Sequence, residues 1–238
     1  IIRIRGQRNS KVQAAWWGVD PRRVDNQDQL AELFASIEFG AAEPPDETPT
    51  SVVFTPGSYA VSRTSVWPGG KRYLGRAATI TRRGPFSGPL IKVETHADLP
   101  TAFEDLHFDG SFLGGAVFVT GEGEFHVDGC RFDRAPAFGL LLSPGVFARV
   151  TDCRASDCDG GGLVAVNPGR LLVDGFLTAG SGTPVDIRVH ASGDGDGVTR
   201  VNAPTPEVTL CGLRLTDGPL KLHLRGGLLR ASDCVAAG

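Results

Sequence analysis

The sequence predicts an all-β fold, a parallel β-helix of about six or seven turns closed at its N-terminal end by one α-helix. Three observations carry this expectation. From Phe103 onward one pattern repeats, with three inward-type positions per copy, the second three residues after the first and the third two residues later. The first column reads Phe103, Val127, Val150, Val173, Leu210, Ala231; the second Leu106, Cys130, Cys153, Phe176, Leu213, Cys234; the third Phe108, Phe132, Ala155, Thr178, Leu215, Ala236. Seventeen of these eighteen positions are apolar, against seven or eight for a chain 41% hydrophobic overall, so the columns mark an interior. Successive members of the second column lie 24, 23, 23, 37 and 21 residues apart. A second apolar run accompanies each copy, at Ala116–Thr120, Leu140–Ser143, Leu163–Val166, Val185–Val189 and Leu220–Leu224, and glycine precedes each run where the chain must turn. Helical periodicity is absent from this region, which excludes a βαβ array. The regular Leu and Asn spacing of leucine-rich repeats is missing too.

Taken in chain order, the first convincing element is a helix over 26–39. Leu30, Leu33, Phe34 and Ile37 recur at three- and four-residue spacing and form one apolar stripe. Asp25 or Asn26 can cap its start and Gly40 can end it. A proline-rich link over 41–50 follows, then the strand Val52-Val53-Phe54 and the turn Thr55-Pro56-Gly57-Ser58. An amphipathic helix beside a solenoid end is expected to cover the open core of the first turn. The chain therefore divides into a front end, 1–50, and a β-helix, 51–238. The longest interval in the repeat is an insertion over 190–206.

At 238 residues the chain is expected to be one domain. Its Gly 32 and Pro 16 suit a fold with many corners and stop short of a disordered composition. A net charge of −3 without clustered Lys and Arg argues against a nucleic-acid partner. No apolar run reaches membrane-spanning length and no signal peptide is present, so no membrane association is expected. The first residue is Ile, which suggests a processed chain or a piece of a longer one. Ending just after the first strand of a new turn likewise suggests that chain or partner continues beyond Gly238. Five cysteines include three in the second inward column, where a reduced, buried thiol acts as a small apolar group. There is no C-x-x-C pair, and Asp194-x-Asp196-Gly197 begins like a calcium loop without the later glutamate. Neither a metal nor a cofactor is implied.

Several front-end segments resemble a known family. These are Trp17-Gly18-Val19-Asp20, Asp25-Asn26-Gln27-Asp28-Gln29-Leu30, Val52-Val53-Phe54-Thr55-Pro56-Gly57-Ser58-Tyr59, and Tyr73-Leu74-Gly75-Arg76 before Thr79-Ile80. Over residues 16–80 the chain resembles the pectate-lyase-like superfamily of right-handed β-helices, and the repeat over 103–236 agrees. It departs at Pro21-Arg22-Arg23, where relatives often carry a glycine-aspartate-glycine turn. The superfamily includes polysaccharide lyases, glycoside hydrolases, epimerases and phage tailspikes. The resemblance therefore implies a right-handed winding and a glycan ligand, without fixing a reaction.

In β-helices of this kind ligands lie along an outward face. Residues just after the second column point outward and give His107, Arg131 and Arg154; two positions on come Asp109 and Asp133. This mixed face is the candidate substrate-binding surface, because Arg forms bidentate bonds to carboxylates and Asp accepts from hydroxyls. A solvated ion-pair ladder would use the same residues. Two residues before the second column stand Glu104, Asp128 and Asp174, the candidate catalytic carboxylates. Asp128 and Asp174 are two turns apart, about 9–10 Å by the strand spacing, near the 6.5–9.5 Å span of inverting glycosidases. Asp128-Gly129 and Asp174-Gly175 are also ordinary turn dipeptides. The aspartate series of polygalacturonases and the arginine-centred motif of calcium lyases are absent. Three readings follow: a glycan-interacting module of a larger surface or virion assembly, a homotrimer or larger in the manner of a tailspike; a polysaccharide-degrading lyase or glycoside hydrolase; and a structural spacer. The first places the chain outside the cell or on a virion surface, with a polysaccharide or cell-surface glycan as partner.

Overall fold

The computed structural model describes residues 11–38, 51–180, 185–189, 207–216, 220–224 and 228–236. Parallel strands stack turn upon turn into a β-solenoid of about seven turns. Among the described residues one sheet has 15 strands and the other 7. In the larger sheet, the long strands Arg72–Arg82 and Thr101–Asp109 each run through a bend. Later turns break at that bend into two pieces, beginning with Glu124–Asp128 and Arg131–Asp133. The smaller sheet runs from Ser65–Trp67 through Ile91–Thr95, Gly115–Gly121, Phe138–Leu142, Leu163–Val166 and Val185–Val189 to Leu220–Leu224.

The three inward columns exist as register. Phe103 pairs with Val127, Val127 with Val150 and Val150 with Val173, while Phe108 pairs with Phe132 and Phe132 with Ala155. From Phe103 to Leu215 every residue of these columns is at most 3% exposed. In the last turn Ala231 and Cys234 are exposed, since no further described turn packs on them. Thr178, the polar member of the columns, is fully buried and its Oγ1 has no hydrogen-bond partner. Cys130 and Cys153 are buried and free, as is Cys158. Burial raises the Cys130 thiol well above its ordinary value and pushes Cys153 up to about 12, so both stay protonated.

One further turn belongs to the same columns. Tyr73 pairs with Phe103, Ala78 with Leu106 and Ile80 with Phe108, across a bulge between Leu74 and Ala78. Its core is aromatic: Trp67 lies 5.3 Å from Phe54, 4.7 Å from Tyr73 and 5.3 Å from Phe103, ring centre to ring centre. Such contacts add to the area they bury.

The helix spans Gln27–Glu38, within the expected 26–39. Leu30, Leu33, Phe34 and Ile37 are buried, and the Phe34 ring lies 5.4 Å from Trp67, so the apolar stripe covers the first turn of the core. Asp25 Oδ1 accepts from the Gln27 N–H at 3.0 Å and supplies the cap. Asn26 has another task. Its N–H donates to the Ala60 carbonyl at 2.8 Å and its Oδ1 accepts from the Asp20 N–H at 2.8 Å, which ties Trp17–Asp20 and the helix to the strand Gly57–Val61. Gly40, the link over 41–50 and the insertion over 190–206 lie outside the described residues.

From the strand Arg72–Arg82 onward each turn bends at a residue with positive φ, immediately before the second inward column. These residues are Ala77, Asp105, Gly129, Asp152, Gly175, Gly212 and Asp233, with φ of 55°, 53°, 61°, 48°, 74°, 61° and 53°. L-residues with a Cβ enter this region at a cost of about 1–2 kcal/mol, Asp and Asn most readily. The alternation of Asp and Gly from Asp105 to Gly175 has a steric cause. A Cβ on Gly129 would stand 2.6 Å from Asp105 Oδ1, and one on Gly175 would stand 2.5 Å from Asp152 Oδ1. Asp105 and Asp152 lean along the axis into space that the next turn leaves empty. The corner after the third column repeats the device, where a Cβ on Gly180 would meet Asp157 Oδ1 at 2.6 Å.

Two outcomes are expected in urea denaturation. Gly129→Ala should lose about 1–2 kcal/mol from backbone conformation alone, with an added loss that vanishes in an Asp105→Gly background; equal losses in both backgrounds would refute the steric account. Leu33→Asp should unfold or aggregate the chain by uncovering Trp67 and Tyr73, whereas wild-type melting would show that the helix is dispensable to the core.

Candidate functional site

Two outward surfaces flank this bend. On one side His107, Arg131 and Arg154 are register partners, as are Asp109 and Asp133. The expected mixed face is thus assembled, and the structure shows how its charges are used. Asp109 and Asp133 are only 5% and 6% exposed. Asp109 Oδ1 accepts from the Ser111 N–H at 2.9 Å and from Arg134 Nε at 3.0 Å, and a second Arg134 nitrogen binds Oδ2. Asp133 Oδ2 lies 2.9 Å from His107 Nε2 and within ion-pair distance of Arg131 Nε, while Ser156 Oγ donates to Oδ1. Thr79 Oγ1 holds the other ring nitrogen of His107 at 3.1 Å. Arg154 is exposed and has no ion pair among the described residues. Both carboxylates are therefore committed within the chain, and the cations are what this face offers outward.

On the other side of the bend Glu104 pairs with Asp128, Asp128 with Thr151 and Thr151 with Asp174. Here the surface opens into a groove of about 460 Å³. Arg72, Glu104, His126, Asp128, Arg149 and Thr151 contribute to its walls, and Ala102 and Pro100 also line it. Glu104 accepts from Arg72 Nε at 3.0 Å and Arg72 Nη2 at 2.6 Å. His126 Nε2 sits 3.5 Å from Glu124 Oε2. Asp128 and Arg149 stand on adjacent turns, and neither has an ion-pair partner among the described residues. Glu104 and Asp128 are thus neighbours in one groove, whereas Asp174 lies two turns along the same column and outside its lining.

Arg72, His126 and Arg149 did not emerge as site residues from the repeat, yet their spacing carries the signal. They belong to the outward column two positions before Glu104, Asp128 and Thr151, where Arg72, Ala102, His126 and Arg149 follow one another in register. Among the described residues no group of three or more His, Cys, Asp or Glu side chains could hold a metal ion. No described helix is long and apolar enough to cross a membrane.

Burial pushes the Asp133 carboxyl up, but hydrogen bonds from His107 and Ser156 and the charges of His107 and Arg131 outweigh it. The net effect holds Asp133 below its ordinary value. A carboxyl depressed by folding contributes stability that is fully present above the unfolded value, near 3.9, and is lost as pH falls through the folded value. Melting temperature followed from about pH 5 to pH 2 should therefore fall less steeply in Asp133→Asn than in wild type. Parallel curves would contradict the assignment.

No protein-family model matches the chain, and no curated protein matches it. Among solved structures it is similar to Geobacillus virus E2 ORF18, at 12% identity and a TM-score of 0.48, over 87% of this chain and 48% of that one. The chain therefore spans about half the length of that protein.

Proposed function

We propose that this β-helix is a glycan-interacting module of a larger surface or virion assembly, and that its groove receives the sugar. The observation that carries the reading is the juxtaposition of Asp128 and Arg149, an anion and a cation without ion-pair partners among the described residues, in an open groove of about 460 Å³. Cavities of this size take small ligands or a few units of a polymer. Asp128 can accept from sugar hydroxyls, and Arg149 can donate a planar pair of hydrogen bonds to a carboxylate or to ring and hydroxyl oxygens. Stacked turns about 4.8 Å apart repeat such contacts along the axis, as an extended chain requires. The resemblance of residues 16–80 to the pectate-lyase-like superfamily supports the ligand class and a place outside the cell or on a virion. The cations of the His107–Arg131–Arg154 face would extend the binding surface across the bend.

One observation favours a catalytic reading as the alternative. Glu104 and Asp128 occupy adjacent turns in the same groove, and retaining glycosidases hold their two carboxyls about 5–5.5 Å apart. Asp128 with Asp174, at about 9–10 Å by the strand spacing, would serve an inverting reaction at the upper limit of its range.

A glycan array and a reducing-end assay on the same panel decide among these readings. Wild type should bind at least one polysaccharide, with binding lost in Asp128→Asn/Arg149→Ala and weakened in Arg131→Ala/Arg154→Ala. Intact binding in the first variant with loss in the second would move the site across the bend. Release of reducing ends, abolished by Glu104→Gln, would replace the binding module by an enzyme. Neither binding nor release would leave the structural spacer.

A further inference from the structure

The corner after Asp109 differs from the corner of the next turn. Asp109 and Gly115 are register partners of Asp133 and Phe138, yet the chain takes six steps between the first two and five between the second. The added residue is taken up by a tight turn over 110–113, closed by the Leu113 N–H on the Gly110 carbonyl at 3.0 Å. Both central residues, Ser111 and Phe112, have positive φ, 52° and 61°. Turns with that conformation favour Asn-Gly, Asp-Gly or Gly-Gly at these positions. A bulky residue there is an outlier, because its Cβ crowds its own backbone.

The turn is fixed against its neighbours. The Ser111 N–H donates to Asp109 Oδ1 at 2.9 Å and the Phe112 N–H to the Arg134 carbonyl at 2.7 Å. Gly110 lies so close to the next turn that a Cβ on it would stand 2.8 Å from Ala135 Cα. The phenyl ring adds nothing to the core, since it is 62% exposed while Phe103, Phe108 and Phe132 are fully buried. Its ring contact among the described residues is the Arg134 guanidinium, 5.5 Å from the ring centre. That is near the outer limit of about 6 Å for such a contact, which is weak at an exposed site. Here a residue sits in an unfavourable conformation without benefit to the interior, which is where a contact outside the chain is to be sought.

We infer that Phe112 is a stacking platform for one pyranose ring of a bound glycan. The inference rests on the proposed glycan-binding function and adds to it a subsite across the bend from the groove. Arg134, beneath the ring, also holds Asp109, whose register partner Asp133 holds His107 and Arg131. The ring therefore borders the His107–Arg131–Arg154 face. An aromatic face is electron-rich, and the axial C–H groups of a pyranose form a flat, weakly positive face of similar size. The hydroxyls at the rim of such a sugar stay free for the neighbouring cations. A protein partner would need a far larger apolar patch than one ring and Leu113, which is 41% exposed. A nucleobase would stack as well, but a net charge of −3 does not draw a nucleic acid.

Titration of the full chain with a panel of gluco-, galacto-, manno- and uronic-acid oligosaccharides tests the subsite. Phe112→Gly removes the ring and relieves the positive φ, Phe112→Asn removes the ring in a residue that tolerates this φ, and Phe112→Trp enlarges the platform. The oligosaccharide that wild type binds should bind about tenfold or more weakly to the first two variants, the scale of one aromatic stacking contact. It should still bind Phe112→Trp and shift that variant's fluorescence in a way absent from wild type. Phe112→Gly should melt at or above the wild-type temperature. Melting clearly below it would make the ring a structural element and overturn the proposal. Unchanged affinity in both Phe112→Gly and Phe112→Asn, with binding lost in Asp128→Asn/Arg149→Ala, would overturn it and leave the groove as the glycan site. Absence of wild-type binding across the panel would overturn both.

Discussion

From the strand Arg72–Arg82 onward every turn of this solenoid depends on one backbone constraint: a residue with positive φ stands immediately before the second inward column. That bend turns the chain so that residues on both sides of it still point into one core. It also divides the outer surface, with Glu104, Asp128 and Thr151 before it and His107, Arg131 and Arg154 after it. Had the bend slipped by one residue, the alternation along the following strand would reverse and bring charged groups inside. Core and candidate site thus share one determinant, read in Asp105, Gly129, Asp152 and Gly175.

The two surfaces on either side of the bend use charge differently. Beyond it Asp109 and Asp133 are withdrawn from water and satisfied by arginine, histidine and serine, as buried carboxylates must be. Before it Asp128 and Arg149 line an open groove, without ion-pair partners among the described residues. A paired, buried carboxylate stiffens the stack, while unpaired groups in a groove remain available to a ligand. Arg82 shows a third arrangement. Its buried guanidinium has no carboxylate partner among the described residues, donates to the Gly88 and Gly115 carbonyls at 2.8 and 3.0 Å, and stacks on Phe86 at 3.8 Å. Burial lowers it to about 10, so it remains charged at neutral pH and braces the loop after its strand.

The inward columns were legible because a solenoid returns each side chain to the same place every turn, and Phe103, Val127, Val150 and Val173 cannot be mistaken once aligned. The helix was legible from Leu30, Leu33, Phe34 and Ile37. The turn at Arg72–Arg82 was not, since its bulge puts Tyr73 and Ala78 five residues apart where Phe103 and Leu106 are three apart. Asn26 looked like a cap, but its partners Asp20 and Ala60 come from elsewhere in the fold, beyond the reach of a local pattern. The groove was half visible. Glu104 and Asp128 stood in a recognised column, but that Arg149 lacks an ion-pair partner among the described residues while Arg72 has one depends on side-chain reach between turns.

The interlocking of aspartate and glycine along the bend also restricts how such a chain can change length. Removing the turn that carries Asp152 would set Gly129 against Gly175, and nothing would collide. Excising the turn that carries Gly129 would bring Asp105 against Asp152, two side chains contending for one space. Duplication meets the same rule, since an aspartate turn copied onto itself clashes whereas an aspartate–glycine pair copied whole does not. The hydrophobic pattern would accept any single turn, but the bend accepts an aspartate turn only before a glycine turn, whereas glycine turns can follow one another, as Gly175 and Gly212 do.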